Sequence, residues 1–164
     1  MRILGLCGSL QRKSSNLDLL QSIVAAAPQG VEVVIDDHLR TLPLFNLDLE
    51  AESVPAPVSS WRRALSECDA LLITSPEYGH SLPGALKNGI DWVIGSGEIH
   101  QKVVAITTAV GHRDRGALGL KALRTTLRAI DAEIVWDKPM VAGDDVPPNI
   151  ERLLEALATA VGRG

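Results

Sequence analysis

Three short segments concentrate the chemistry-bearing side chains of this chain, and each follows a run of apolar residues. The first, Gly8-Ser9-Leu10-Gln11-Arg12-Lys13-Ser14-Ser15-Asn16, sets hydroxyls, amides and cations directly ahead of a helix-like stretch. A phosphate monoester needs such a set: unpaired N–H groups at a helix start, the positive end of the helix dipole, and Ser or Asn side chains around its oxygens. The same residue types also serve as plain helix caps, so this loop alone leaves both readings open. It is neither a Walker A loop, lacking Gly-Lys-Ser/Thr at the required spacing, nor a dinucleotide GxGxxG.

The second segment is Ser75-Pro76-Glu77-Tyr78-Gly79-His80-Ser81-Leu82-Pro83-Gly84, running into a helix that starts near Pro83 and carries Trp92. Its density of Pro, Gly, Ser, Glu, Tyr and His suits an edge that faces a ligand, although loops favour Pro and Gly in any case. The plainer alternative makes Tyr78 a loop plug and Glu77 a solvated charge. The third segment, Thr107-Thr108-Ala109-Val110-Gly111-His112-Arg113, ends in a cationic pair that suits either a nucleotide phosphate or solvent at a helix start.

Other chemistries find no support. His38, His80, His100 and His112 show no ligand spacing, and Asp36-Asp37 and Asp144-Asp145 are isolated pairs of the kind turns contain, so no metal site is expected. Cys7 and Cys68 form no CxxC and read as small buried hydrophobes. No serine sits in a GxSxG elbow, which removes the nucleophilic hydrolases of that type.

The elements that position these loops are legible as five apolar runs: 3–7, 31–35, 70–74, 103–107 and 133–136. Most lack the alternation of a sheet with one wet face, so they are expected to be strands covered on both sides. Helical stripes lie between them, with Leu17, Leu20, Val24 and Ala27 on one and Leu120, Leu123, Leu127 and Ile130 on another. A last helix carries Ile150, Leu153, Leu154, Leu157, Ala158 and Val161 after Pro147-Pro148 and ends at Gly162. Right-handed crossovers then favour an α/β three-layer sandwich with a five-stranded parallel sheet in the order 2-1-3-4-5. Its ligand lies at the carboxyl ends of strands 1, 3 and 4. Two linkers interrupt the pattern, residues 42–57 with three prolines and the Gly143-Asp144-Asp145 turn.

At 164 residues the chain fits one domain. Its net charge of −4 comes without a clustered basic patch, which disfavours nucleic acid as a partner. The apolar runs are too short to span a bilayer and the amino terminus carries no secretory pattern, so no membrane partner is expected and cytoplasmic location is the default. One Phe, one Tyr and three Trp leave the core to aliphatic residues, and any aromatic in a loop becomes notable.

The run PEYGHSLPGALKNGIDW, with GSLQRKSSN at the amino terminus, resembles the NADPH-dependent FMN reductase family of flavodoxin-like proteins, which includes quinone, chromate and azo-dye reductases. The resemblance covers nearly the whole chain. It implies a single flavodoxin-like FMN-binding domain over residues 1–164 and a noncovalent FMN. It further implies two-electron transfer from NADPH or NADH to a small-molecule electron acceptor (a quinone, azo compound, metal oxyanion or free flavin), and assembly as a homodimer or homotetramer. By position, Ser9, Gln11, Ser14 and Asn16 match the family's phosphate loop. Pro76, Glu77, Tyr78, Gly79, His80 and Ser81 match the segment along the isoalloxazine, and Thr108 and Gly111 its other edge. Family members usually carry Arg where this chain has Gln11 and Asn where it has Gly79. Backbone N–H groups around Glu77 to Ser81 are expected at the flavin's polar edge, with Tyr78 as an aromatic wall. No catalytic acid is assigned, His80 being the one candidate proton donor.

Rival functions share this fold. A receiver domain lacks its acidic pair and phosphoacceptor Asp here, since Gly8-Ser9 and Ser75-Pro76 occupy those strand ends. A one-electron flavodoxin-like carrier usually flanks the flavin with aromatic side chains on both faces, for which one loop Tyr is weak support. A flavin-binding sensor without turnover is the remaining alternative. In the 42–57 linker, Leu44, Phe45, Leu47 and Leu49 lie close together without a clear period, and either a partner chain or the protein's own sheet edge could cover them.

Overall fold

The computed structural model describes residues 1–112, 115–143 and 146–163, so Arg113, Asp144 and Asp145 lie outside the described residues. Five strands form one sheet: β1 (Arg2–Cys7), β2 (Glu32–Asp36), β3 (Ala70–Thr74), β4 (Val103–Thr107) and, after a two-residue strand β5 (Ala109–Val110), β6 (Glu133–Trp136). Every pair is parallel and the order is β2-β1-β3-β4-β6. This is the expected 2-1-3-4-5 winding, with the fifth long strand now sixth in the chain.

The lack of alternation in the strands has a direct cause. Leu4, Leu6, Leu71, Ile73, Val104 and Ile106 face one core, while Ile3, Leu72, Val103 and Ala105 face another. The first core is closed by α3 (Ala56–Ser66), α4 (Gly84–Ile94) and α5 (Ala117–Arg128), and the second by α1 (Ser15–Ala25) and α6 (Val146–Val161). With apolar partners on both faces, β3 and β4 are apolar up to their last residues, Thr74 and Thr107, whose buried hydroxyls donate to the Leu6 and Lys138 carbonyls.

The helix stripes need small corrections. In α1 the buried residues are Leu19, Leu20 and Ile23, with Leu17 and Val24 only half-buried, because the helix sits about one position round from the expected face. In α6 Ala160 is buried and Ala158 exposed. Cys68 is buried as expected, whereas Cys7 is only partly so.

The 42–57 linker is more ordered than its composition suggests. It contains a short helix α2 (Leu47–Glu52), whose N-cap Asn46 accepts from Asp48 N–H, and it runs into the start of α3. It is fastened to α4 by the indole of Trp92 and the amide of Asn88, which both donate to the Pro43 carbonyl, at 2.8 and 2.9 Å. Asn88 in turn accepts from Phe45 N–H, and the Phe45 ring meets Trp92 edge-on at 5.1 Å. Phe45 thus belongs to the protein's own core, while Leu44 and Leu47 remain 83% and 67% exposed.

A second strand-like pair, β5 with β7 (Met140–Val141), continues the direction of β4 beyond its end. Two-residue strands carry no period, which is why the pattern of apolar residues does not announce them. One contact in this layer tests the packing. A Cβ at Gly89 would stand 2.5 Å from a Leu39 methyl, and the Gly89 carbonyl accepts the buried Trp61 indole at 2.9 Å. Gly89→Ala is therefore expected to lower unfolding free energy by about 1–3 kcal/mol through overpacking, read by urea denaturation, despite the helix propensity it gains.

Candidate functional site

The three chemistry-bearing loops leave the sheet side by side. Cys7 is paired with Thr74 and Thr74 with Thr107, and the ladder continues one residue into the loops: Gly8 N–H donates to Thr74 O at 2.8 Å and Ser75 N–H to Thr107 O at 2.9 Å. Gly8 is required at this junction, since a Cβ there would lie 2.9 Å from Ser75 Oγ.

In the first loop Ser9, Ser14 and Asn16 are buried, while Gln11, Arg12 and Lys13 are exposed. Ser14 is the N-cap of α1 by backbone position, yet its side chain makes no capping hydrogen bond. That separates the two readings of the loop: the hydroxyl is not occupied in capping and remains available at the positive end of the helix. Asn16 has a structural role that its sequence position does not announce, because its Oδ1 accepts Ala109 N–H at 3.0 Å and so ties α1 to the third loop. Ser9 Oγ lies 3.4 Å from Tyr78 Oη, joining the first loop to the second.

The second loop folds as a tight hairpin. Tyr78 and Ser81 exchange two backbone hydrogen bonds of 3.0 Å, and the residues between them, Gly79 and His80, have φ of +55° and +62°. Two left-handed residues in succession define a type I′ turn, for which Asn-Gly is the usual choice. Gly79 in place of the family's Asn thus preserves the turn, and nothing lies within 4 Å of where a Cβ would be. The pairing also engages the N–H groups of Tyr78 and Ser81, which were expected to face a ligand. Those of Gly79 and His80 make no backbone hydrogen bond among the described residues.

Glu77 is neither a solvated charge nor a free ligand. One carboxylate oxygen accepts Gly119 N–H at 2.8 Å in the first turn of α5, and the other lies 3.1 Å from His80 Nδ1. The helix-start N–H and the imidazole hold its carboxyl below the usual carboxylate range. The approach is close enough that a Cβ at Gly119 would come within 2.9 Å of Glu77 Cβ, and one at Gly116, whose φ is +81°, within 2.7 Å of Thr108 Cγ2. Gly119 is not marked by the sequence pattern, because the residue it approaches lies 42 positions away along the chain.

The second and third loops enclose a cleft of about 530 Å³ lined by Pro76, Glu77, His80, Thr108, Gly111 and Arg115. Gln11 and Tyr78 line a neighbouring opening of about 350 Å³ on the first-loop side. Thr108 is 1% exposed and its carbonyl accepts Met140 N–H from β7, so the floor of the cleft is fixed. Exposed His112 lies at the loop tip, and Arg115, overlooked in the sequence, brings a cation to the rim. No Phe, Tyr or Trp ring lines the cleft among the described residues. Trp61 and Trp92 are buried in the core instead.

A parallel sheet wound in this order, with its open cleft at the carboxyl ends of the central strands, defines a flavodoxin-like α/β protein. The chain belongs to the NADPH-dependent FMN reductase family, whose sequence profile matches residues 1–146. It is 35% identical over 143 residues to an NAD(P)H-dependent FMN reductase of Pseudomonas aeruginosa, covering 86% of this chain and 76% of that one. It is 30% identical over 154 residues to a quinone reductase of Escherichia coli K12, covering 92% and 81%. Among solved structures, FerB, a flavoenzyme NAD(P)H:(acceptor) oxidoreductase from Paracoccus denitrificans, shares the fold with a TM-score of 0.77 and 23% identity, over 98% of this chain and 95% of that one.

Two outcomes follow from the loop geometry. The Glu77 contribution to stability is complete above the ordinary carboxyl value of 4.5 and is lost as pH falls through the lowered native value. Glu77→Gln should melt below the unaltered protein near neutral pH, with the gap narrowing as pH falls below the ordinary carboxyl value. His80→Gly should melt at or above the unaltered protein, whereas His80→Val, forcing a β-branched residue into the left-handed region, should cost about 1–2 kcal/mol in thermal unfolding.

Proposed function

We propose that this chain is an FMN-dependent NAD(P)H oxidoreductase, passing hydride from NAD(P)H through bound FMN to a quinone, azo compound, metal oxyanion or free flavin. The observation that carries this reading is the pairing of an uncommitted Ser14 hydroxyl at the start of α1 with an open cleft between the second and third loops. The donor set fits the cofactor. Ser9, Gln11, Ser14 and Asn16 would hold the phosphate end together with the unpaired N–H groups of the first α1 turn. Pro76, Glu77, Tyr78, Gly79, His80 and Ser81 would line one side of the ring system, and Thr108 and Gly111 the other. A cleft of about 530 Å³ lies within the range of small-molecule sites.

Bound FMN supplies the hydride chemistry, and the protein supplies binding, orientation and electrostatics. The Glu77 contact with α5 holds the hairpin so that the free N–H groups of Gly79 and His80 are presented at a fixed place. Thr108, buried and tied to β7, forms an immobile floor. His80 has Nδ1 beside Glu77, leaving Nε2 as the atom able to hand a proton to a quinone oxygen. With no Phe, Tyr or Trp lining the cleft among the described residues, one flavin face is left open to nicotinamide and acceptor in turn, which favours a reductase over a carrier.

We further propose that the protein acts in the cytoplasm, as a homodimer or homotetramer. Among the described residues no helix is long and apolar enough to cross a membrane. Exposed Leu44, Leu47 and Leu49 support a subunit contact.

The test is direct. Purified protein is titrated with FMN by visible absorbance, then NADPH oxidation is followed with benzoquinone as acceptor. Uptake of FMN with benzoquinone-dependent NADPH oxidation is expected; lack of uptake would overturn the reading, and uptake without oxidation would identify a carrier or sensor. Ser14→Ala should raise the FMN Kd about tenfold, the loss of one charge-assisted hydrogen bond, and leave riboflavin, which has no phosphate, unchanged.

A further inference from the structure

We propose that Arg40 is a positioning residue for the phosphate end of the flavin site, fixing the first loop through the Leu10 carbonyl and supplying the cation that Gln11 does not. The inference rests on the FMN reading above.

A flavin phosphate carries close to two negative charges, and a loop that binds it through helix-start N–H groups and hydroxyls alone compensates only part of that charge. Position 11 is a neutral amide; Arg12, Lys13 and Arg40 are all exposed, and of the three Arg40 is the one hydrogen-bonded to the loop among the described residues. Arg40 arrives from elsewhere. It ends a single 3-10 turn (His38–Arg40) after β2 and donates from Nη1 to Leu10 O at 2.7 Å, across 30 residues of chain.

The turn that carries it is rigid. His38 N–H and Nδ1 both meet the Asp36 carboxylate, at 2.9 and 2.6 Å, and Leu39 is buried at 6% exposure against Gly89. The consequence for the loop is specific. The Leu10 carbonyl is taken by Arg40, while Gln11 N–H, the other end of the same peptide, donates to Ser9 Oγ at 3.3 Å. With both ends held, this peptide cannot rotate, and its carbonyl is kept from turning towards an incoming anion.

No carboxylate pairs with the guanidinium among the described residues. The arginine ion pairs among the described residues involve Arg2, Arg62 and Arg124, not Arg40. A small cavity of about 160 Å³ puts Arg40 beside Ser9, Leu10 and Leu17, the last in the first turn of α1. Of the acidic groups on the same wall, Asp36 is occupied by His38, and Asp37 makes no ion pair with Arg40.

Binding of FMN and of riboflavin, measured by fluorescence titration, separates the cases. Arg40→Met should raise the FMN Kd about tenfold and change the riboflavin Kd less than about twofold, since only FMN has the phosphate. Arg40→Lys should recover most of the FMN affinity. Arg40→Gln, which keeps a donor for Leu10 without the charge, should fall between and reduce the salt dependence of FMN binding. Melting curves of the flavin-free variants identify any that fail to fold; should Arg40→Met fail, Arg40→Gln against Arg40→Lys carries the comparison. Unchanged FMN affinity in Arg40→Met, or equal loss of FMN and riboflavin, would overturn the proposal, as would a tenfold loss in Arg12→Met with none in Arg40→Met. If the unaltered protein takes up no FMN, the functional reading falls as well; if it binds FMN and the Arg40 variants match it, this inference alone falls.

Discussion

The sheet ladder does not stop where the strands stop. Gly8 N–H reaches Thr74 O and Ser75 N–H reaches Thr107 O, so the first residue of each of two loops is still part of the hydrogen-bonded sheet. Backbone groups in the interior must find partners, and extending the ladder satisfies them while setting the directions in which both loops depart. Everything at the site depends on this: the loops start level, in register, at the only end of a parallel sheet where helix starts converge.

Above that anchorage, loops are joined to one another by side chains. Asn16 holds the third loop to α1, Glu77 holds the hairpin to α5, and Ser9 meets Tyr78 between the first two. Each link engages a group that composition alone would assign to a ligand. Residue types rich in hydrogen-bonding capacity serve both purposes, and only geometry divides them. Here it commits the Asn16 carbonyl and the Glu77 carboxylate to the scaffold, while the Ser14 hydroxyl makes no capping bond and the Gly79 and His80 N–H groups have no backbone partner among the described residues.

How far the sequence could be read follows the range of each interaction. The long strands were legible because burial on both faces makes them uniformly apolar, and their order because handed crossovers allow few windings. The loops with chemistry were legible for the same reason, being defined by where the strands end. The exact buried face of α1 was not, since Leu17, Leu19, Leu20 and Val24 are all apolar and the pattern is broad enough to admit a rotation. Contacts between distant residues were not legible at all. Gly119 looks like an ordinary weak point in a helix until Glu77, 42 residues earlier, is found against it, and Arg40 looks solvated until Leu10 is found to receive it.

Aromatic scarcity gains meaning from where the few rings are placed. Trp61 and Trp92 are locked in the core by indole hydrogen bonds to the Gly89 and Pro43 carbonyls, and Phe45 packs on Trp92. Such groups cannot swing out without leaving buried carbonyls unpaired and a large cavity behind. Tyr78, tethered near Ser9 and 47% exposed, is the ring left beside the site on the hairpin. A flavin bound here would therefore meet the hairpin residues, Pro76 to Ser81, on its protein side. Its outer face would be left without a ring from these residues, a surface that two reactants can occupy in succession. Bimolecular hydride transfer in two half-reactions needs that vacancy, and a carrier that shields its cofactor does not.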